Sequence, residues 1–146
     1  MTTYRNKKSN GTRNMIEHDL KRYSRSFMSN SKWRKFFQVI NQQTLELNQC
    51  TWKLVNEKDP IPGHLPDARQ LGDDSVGDCG ALNGPFPFKI IEWILLPAQH
   101  GYRPYEKAPI HYESQDLQKV QETLDTAGHF EYELNEEGMK IFGYKP

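Results

Sequence analysis

One long apolar run, Gly84-Pro85-Phe86-Pro87-Phe88-Lys89-Ile90-Ile91-Glu92-Trp93-Ile94-Leu95-Leu96-Pro97, sets the strongest limit on what this chain can fold into. Successive side chains of a strand face opposite ways, so Ile91, Trp93 and Leu95 oppose Phe88, Ile90, Ile94 and Leu96, and both faces call for cover. The run predicts a central strand from about Phe86 to Leu96, with Pro85, Pro87 and Pro97 punctuating its ends. Glu92 falls on the second face. A carboxylate there either pairs with a base such as Arg34 or takes up a proton through desolvation. The first outcome makes Glu92 a structural buried charge and the second a general acid; its place in mid-strand favours the ion pair, because reacting groups collect at strand ends and loops.

The remaining elements follow from periodicity. Residues 1–13 are rich in Asn, Thr, Lys and Arg and almost free of apolar side chains, which predicts a disordered basic tail. Ile16, Leu20, Tyr23 and Phe27 recur at helical intervals, predicting an amphipathic helical extension over 14–27. Trp33, Phe36, Phe37 and Ile40 mark a second helix, capped by Asn30 or Ser31 and ending near Asn41 to Gln43. Cys50, Trp52 and Leu54 alternate with Thr51 and Lys53 as in a half-buried strand.

From Asn56 to Asn83 prolines and glycines preclude long elements, leaving room for one helical turn at Pro66 to Leu71 and a short strand at Ser75 to Cys79. Ala98 to Tyr112 reads as a second irregular stretch. A helix opens at Ser114 with Leu117, Val120 and Leu124 on its apolar face and Gly128 past its end. Strands at His129 to Leu134 and Met139 to Tyr144 flank the turn residues Asn135 to Gly138. The sum is an α+β fold, an antiparallel sheet of about four strands packed against about three helices, with 28–146 as its single domain. At 146 residues such a domain can bury a core without disulfide or metal staples.

Residues 30–37, Asn-Ser-Lys-Trp-Arg-Lys-Phe-Phe, together with Gly84-Pro85-Phe86 and Lys89 to Ile94, resemble an uncharacterised family of small bacterial single-domain proteins. Its members often begin close to a Met-Ser-Asn like Met28 to Asn30, so the resemblance covers about 28–146. It implies a compact bacterial domain and supplies no catalytic residues. Orphan domains of this size often look like immunity proteins that neutralise a toxin; that association is by type alone.

The formal net charge of zero conceals a division. Residues 1–35 hold ten Lys and Arg against two acids, and the remainder holds nine against seventeen. Basic residues from Lys21 to Lys35 interleave with Tyr23, Trp33 and Phe36, the chemistry that contacts phosphates and stacks on bases, although the aromatics lie at core spacing. Acidic segments lie at 57–78 and 106–137. Asp67, Asp73, Asp74 and Asp78 cluster in the first, and Tyr102, Tyr105 and Tyr112 lie between the two. Acidic surfaces speed capture of a basic partner, and tyrosine is a favoured interface anchor, so Asp67, Asp73, Asp74, Asp78, Tyr102 and Tyr105 are the candidate partner-binding residues.

No metal site is expected. The Asp73 to Asp78 stretch lacks the spacing of a calcium loop, the five histidines occur in no ligand motif, and Cys50 and Cys79 stand far apart in sequence. No nucleophile elbow or phosphate-cradling glycine loop occurs, so no catalytic residue and no cofactor are assigned. Two lone thiols, no secretion signal and no membrane-length apolar stretch lead to the expectation of a cytoplasmic protein. The leading expectation is a non-enzymatic protein-binding domain, an immunity-type inhibitor that occludes a basic toxin site. The alternatives are a nucleic-acid-associated regulator using the basic N-terminal segment and a small enzyme using Glu92 or the Asp and His loops.

Overall fold

The computed structural model describes residues 18–42, 49–80 and 84–146. The basic tail predicted over 1–13 lies outside them. Five antiparallel strands form the main sheet: β2 (Gln49–Leu54), β3 (Ile61–His64), β6 (Ile91–Pro97), β9 (Tyr132–Leu134) and β10 (Gly138–Phe142), in the order β3-β2-β6-β10-β9. Helices α1 (Asn30–Asn41) and α2 (Gln118–Ala127) pack together against one face. The α+β arrangement of helices on an antiparallel sheet is therefore as the sequence predicts, with five strands rather than about four.

Helix α1 starts at Ser29, whose hydroxyl accepts the Lys32 amide, one residue ahead of the predicted caps. Its stripe of Trp33, Phe36, Phe37 and Ile40 is buried against the sheet. Phe37 lies 5.8 Å from Trp52 and 6.1 Å from Phe88, and Trp52 meets Phe86 edge-on at 5.3 Å, so the core is a continuous aromatic stack. Ile94, Leu96, Met139 and Ile141 complete the inward face.

Three sequence expectations are corrected. The central strand does not run unbroken from Phe86 to Leu96. Pro85 and Pro87 cannot donate to a ladder, and the segment splits into β5 (Phe86–Pro87), a 3-10 turn (Phe88–Ile90) and β6. The β5 residues pair instead with β4 (Ser75–Val76). Within β6 the register with β2 moves from Lys53↔Trp93 to Leu54↔Ile91, leaving Glu92 unmatched. This bulge carries Ile91 onto the buried side and Glu92 out of it.

The predicted amphipathic helix over 14–27 is helical only at 18–20 among its described residues. The chain then turns into β1 (Arg25–Ser26), which pairs with β11 (Tyr144–Lys145). Its apolar side chains serve the body from a strap, with Tyr23 5.5 Å from the Tyr144 ring. The third correction concerns Ala98 to Tyr112. Its ends form a hairpin, β7 (Gln99–Tyr102) with β8 (His111–Ser114), around a loop over 103–110; the hairpin pairs with no other strand among the described residues, and the helix expected to open at Ser114 begins at Gln118 because Ser114 ends β8.

The sheet face away from the helices is only partly covered among the described residues. Trp93, Leu95 and Phe142 are half-buried there, with Lys140 Nζ 4.3 Å above Trp93 and Lys145 Nζ 4.5 Å above Phe142. Long lysine stems and their cation-ring contacts supply part of that cover.

Candidate functional site

The β7–β8 ribbon leaves the sheet directly after β6 and returns directly before α2. Its base is pinned by Gln115 N donating to Ala98 O at 2.9 Å and Ala98 N donating to Glu137 O at 2.9 Å. Pairing sets Gly101 opposite Tyr112 and Tyr102 opposite His111. By alternation, Ile110 and Tyr112 share one face with Gly101, while Tyr102 and His111 meet on the other at 5.9 Å. At the tip, Arg103 Nη1 donates to Ala108 O at 2.7 Å and Ala108 N to Tyr105 O at 3.0 Å, and Ala108 is buried beneath this closure.

The ribbon is where the described residues expose their large apolar side chains. Tyr102 is 38% exposed, Tyr105 68%, Ile110 46% and Tyr112 63%; beyond the ribbon only Leu134 reaches a comparable value. Carboxylates ring its base, with Asp116 just past β8 and Glu136 and Glu137 in the β9–β10 turn, all exposed. Tyr102 and Tyr105 are thus brought together with Ile110 and Tyr112. Sequence reasoning missed Ile110 and the ribbon itself because neither strand carries an apolar alternation. Three tyrosines close together in a polar stretch, Tyr102, Tyr105 and Tyr112, were the available signal.

The acidic candidates sit on a different element. Asp67 caps a 3-10 turn (Ala68–Gln70), accepting the amides of Arg69 and Gln70, and Arg69 beside it holds its carboxyl below the usual range. Gln70 in turn donates to Asp78 O, and the Asp78 carboxylate accepts Gly80 N at 3.0 Å. Asp67 and Asp78 are therefore joined through Gln70 as loop-building residues, while Asp73 and Asp74 stay exposed in the turn before β4. Among the described residues no group of three or more His, Cys, Asp or Glu could hold a metal ion.

Glu92 is half-buried and paired, though not with Arg34. It accepts from Lys53 Nζ at 3.3 Å and from the Tyr23 hydroxyl, and burial together with this carboxylate pushes the Tyr23 phenol up. Lys53 also donates to Leu54 O at 2.8 Å and Glu57 O at 2.6 Å, which uses all three ammonium protons. Arg22 donates to Val55 O at 2.7 Å. Arg22, Lys53 and Glu92 line a cleft of about 410 Å³ between the strap and the β2–β3 turn, where Lys53 binds the turn and Arg22 and Glu92 Oε1 tie the strap to the sheet. The arrangement is a clamp. Trp33 and Phe36 of the basic, aromatic segment are buried in the core, where they cannot stack on bases.

Among the described residues no helix is long and apolar enough to cross a membrane. Comparison with curated proteins and with solved structures gives no match. A family model does match, and it starts at residue 15, so the strap that holds Glu92 lies inside the matched region rather than ahead of it. The chain belongs to the family of unknown function DUF6678, whose model spans residues 15–146.

Proposed function

We propose that this chain is a non-enzymatic protein-binding domain that uses the β7–β8 ribbon and the carboxylates at its base to engage a basic protein. The observation that carries the reading is the concentration of exposed apolar side chains on one braced hairpin, at Tyr102, Tyr105, Ile110 and Tyr112. Exposed tyrosines on a fixed backbone bury area at little entropic cost and make effective anchors. Asp116, Glu136 and Glu137 supply the field that attracts a cationic surface and disfavours polyanions. The finer form of the proposal is an immunity-type inhibitor of a bacterial toxin, acting in the cytoplasm by covering a basic site, with Asp73 and Asp74 widening the acidic surface.

The test is a photo-crosslinking amino acid placed at position 105 and, separately, at exposed Lys89 in the 3-10 turn, each in the source cell. Position 105 is expected to give one dominant adduct with a basic protein. Equal adducts from both positions, or adducts with nucleic acid, would remove the reading.

A further inference from the structure

Resting on the protein-binding reading above, we infer that the Ile110, Gly101 and Tyr112 face of the ribbon is a preformed shelf that seats one large apolar side chain from a Lys- or Arg-rich segment of the partner. Gly101 makes the shelf. A Cβ at that position would stand 2.9 Å from Tyr112 Cε1 and 3.2 Å from Ile110 Cγ2, so the missing side chain is what lets the Tyr112 ring lie across the partner strand beside Ile110. Glycine in a strand interior has an entropic cost and often marks a site of close approach. Here the approach is by an exposed ring, which leaves a flat apolar surface at 63% and 46% exposure.

Two further observations define the occupant. The tip is braced by the Arg103 and Ala108 hydrogen bonds, so the shelf needs little ordering on binding, as suits the anchor of an interface. Its base is fixed through Ala98 to the acidic β9–β10 turn, where Glu136 and Glu137 are exposed, with Asp116 beyond the other strand. An apolar residue flanked by cations matches that pairing of surface and charge. A second copy would set one ring of carboxylates near another, and an anionic bilayer or nucleic acid would meet the same repulsion.

The experiment pans a random-peptide phage library on the full chain and measures the affinity of the enriched peptides by fluorescence anisotropy. Enrichment of an aromatic or leucine flanked by Lys and Arg is expected. Tyr112→Ser and Gly101→Val should each weaken binding about tenfold or more while leaving the salt dependence unchanged. Replacing Glu136 and Glu137 by Gln should flatten the salt dependence. Melting curves of the ribbon variants should match the parent, because these side chains lie outside the main sheet.

Enriched peptides that ignore Tyr112→Ser and Gly101→Val but respond to charge removal would overturn the shelf and leave the protein-binding reading standing. A library that yields no binding peptide would count against both. Self-association in sedimentation that Tyr112→Ser abolishes would assign the shelf to a second copy and overturn the inference.

Discussion

The sheet body and the β7–β8 ribbon use the same kinds of residue to opposite ends. In the body, Trp33, Phe36, Phe37, Trp52 and Phe88 are at most 1% exposed and stack into one core, so their area stabilises the fold. In the ribbon, Tyr102, Tyr105 and Tyr112 are 38%, 68% and 63% exposed, so much of their area does not contribute to the core. Aromatic content alone therefore tells nothing about role. What separates the two regions is whether a second layer covers the strand, and the contrast can be broken by measuring what each kind of aromatic contributes to stability.

The largest expected effect is in the body. Trp52→Ala should cost about 3–5 kcal/mol in urea unfolding, the range for truncating a buried large aromatic. Tyr112→Ala should stay within about 0.5 kcal/mol, as for a surface change. Equal losses would mean that the ribbon is part of the core and would end the comparison.

The strap lies between these extremes. Tyr23→Phe removes the phenol that Glu92 accepts while Lys53 stays in place, and is expected to cost about 1–2 kcal/mol in the same measurement. No loss would show the strap to be an accessory to the body, with the Glu92 clamp contributing nothing to stability.

A further effect depends on pH. Burial pushes the Cys79 thiol up to about 12 from the ordinary 9.0, with Asp78 and Asp67 adding to it, and burial raises Cys50 in the same direction with Cys79 adding to it. Below pH 9 both states hold these protons. Above it the unfolded chain releases them while the folded chain retains them, so stability falls as pH rises from about 9 toward 12. The slope should approach about 1.4 kcal/mol per pH unit for each thiol. Urea melts between pH 8 and 10.5 should show the decline and Cys79→Ala should reduce it; a flat profile would contradict the burial of these thiols.

Much of the body was legible because its signals are local or periodic. The stripe Trp33, Phe36, Phe37, Ile40 and the alternation Cys50, Trp52, Leu54 each specify an element and its buried side without reference to the rest of the chain. The turn at Asn135 to Gly138 was legible too, and Gly138 holds φ +145, a conformation in which a Cβ would run into the Leu96 carbonyl. The strap was misread for the converse reason. Leu20, Tyr23 and Phe27 have helical spacing, but an antiparallel pairing with the far C-terminus and a carboxylate on β6 outweighed a marginal helical preference.

The candidate site was legible only in its residue types. Tyr102, Tyr105 and the aspartates could be named from their chemistry, but a ribbon with two wet faces leaves no apolar period to detect, and Ile110 gains meaning only through the register that sets Tyr112 over Gly101.

The sequence by itself determined a helix-covered antiparallel α+β body, because burying an apolar stripe or an alternating strand is enforced residue by residue through contact with water. Only the tertiary structure decided that Glu92 is a clamp for the N-terminal strap and that the exposed aromatics gather on one ribbon. Both depend on which distant backbone segments meet, and long-range pairing is set by the joint packing of the whole chain rather than by any local preference.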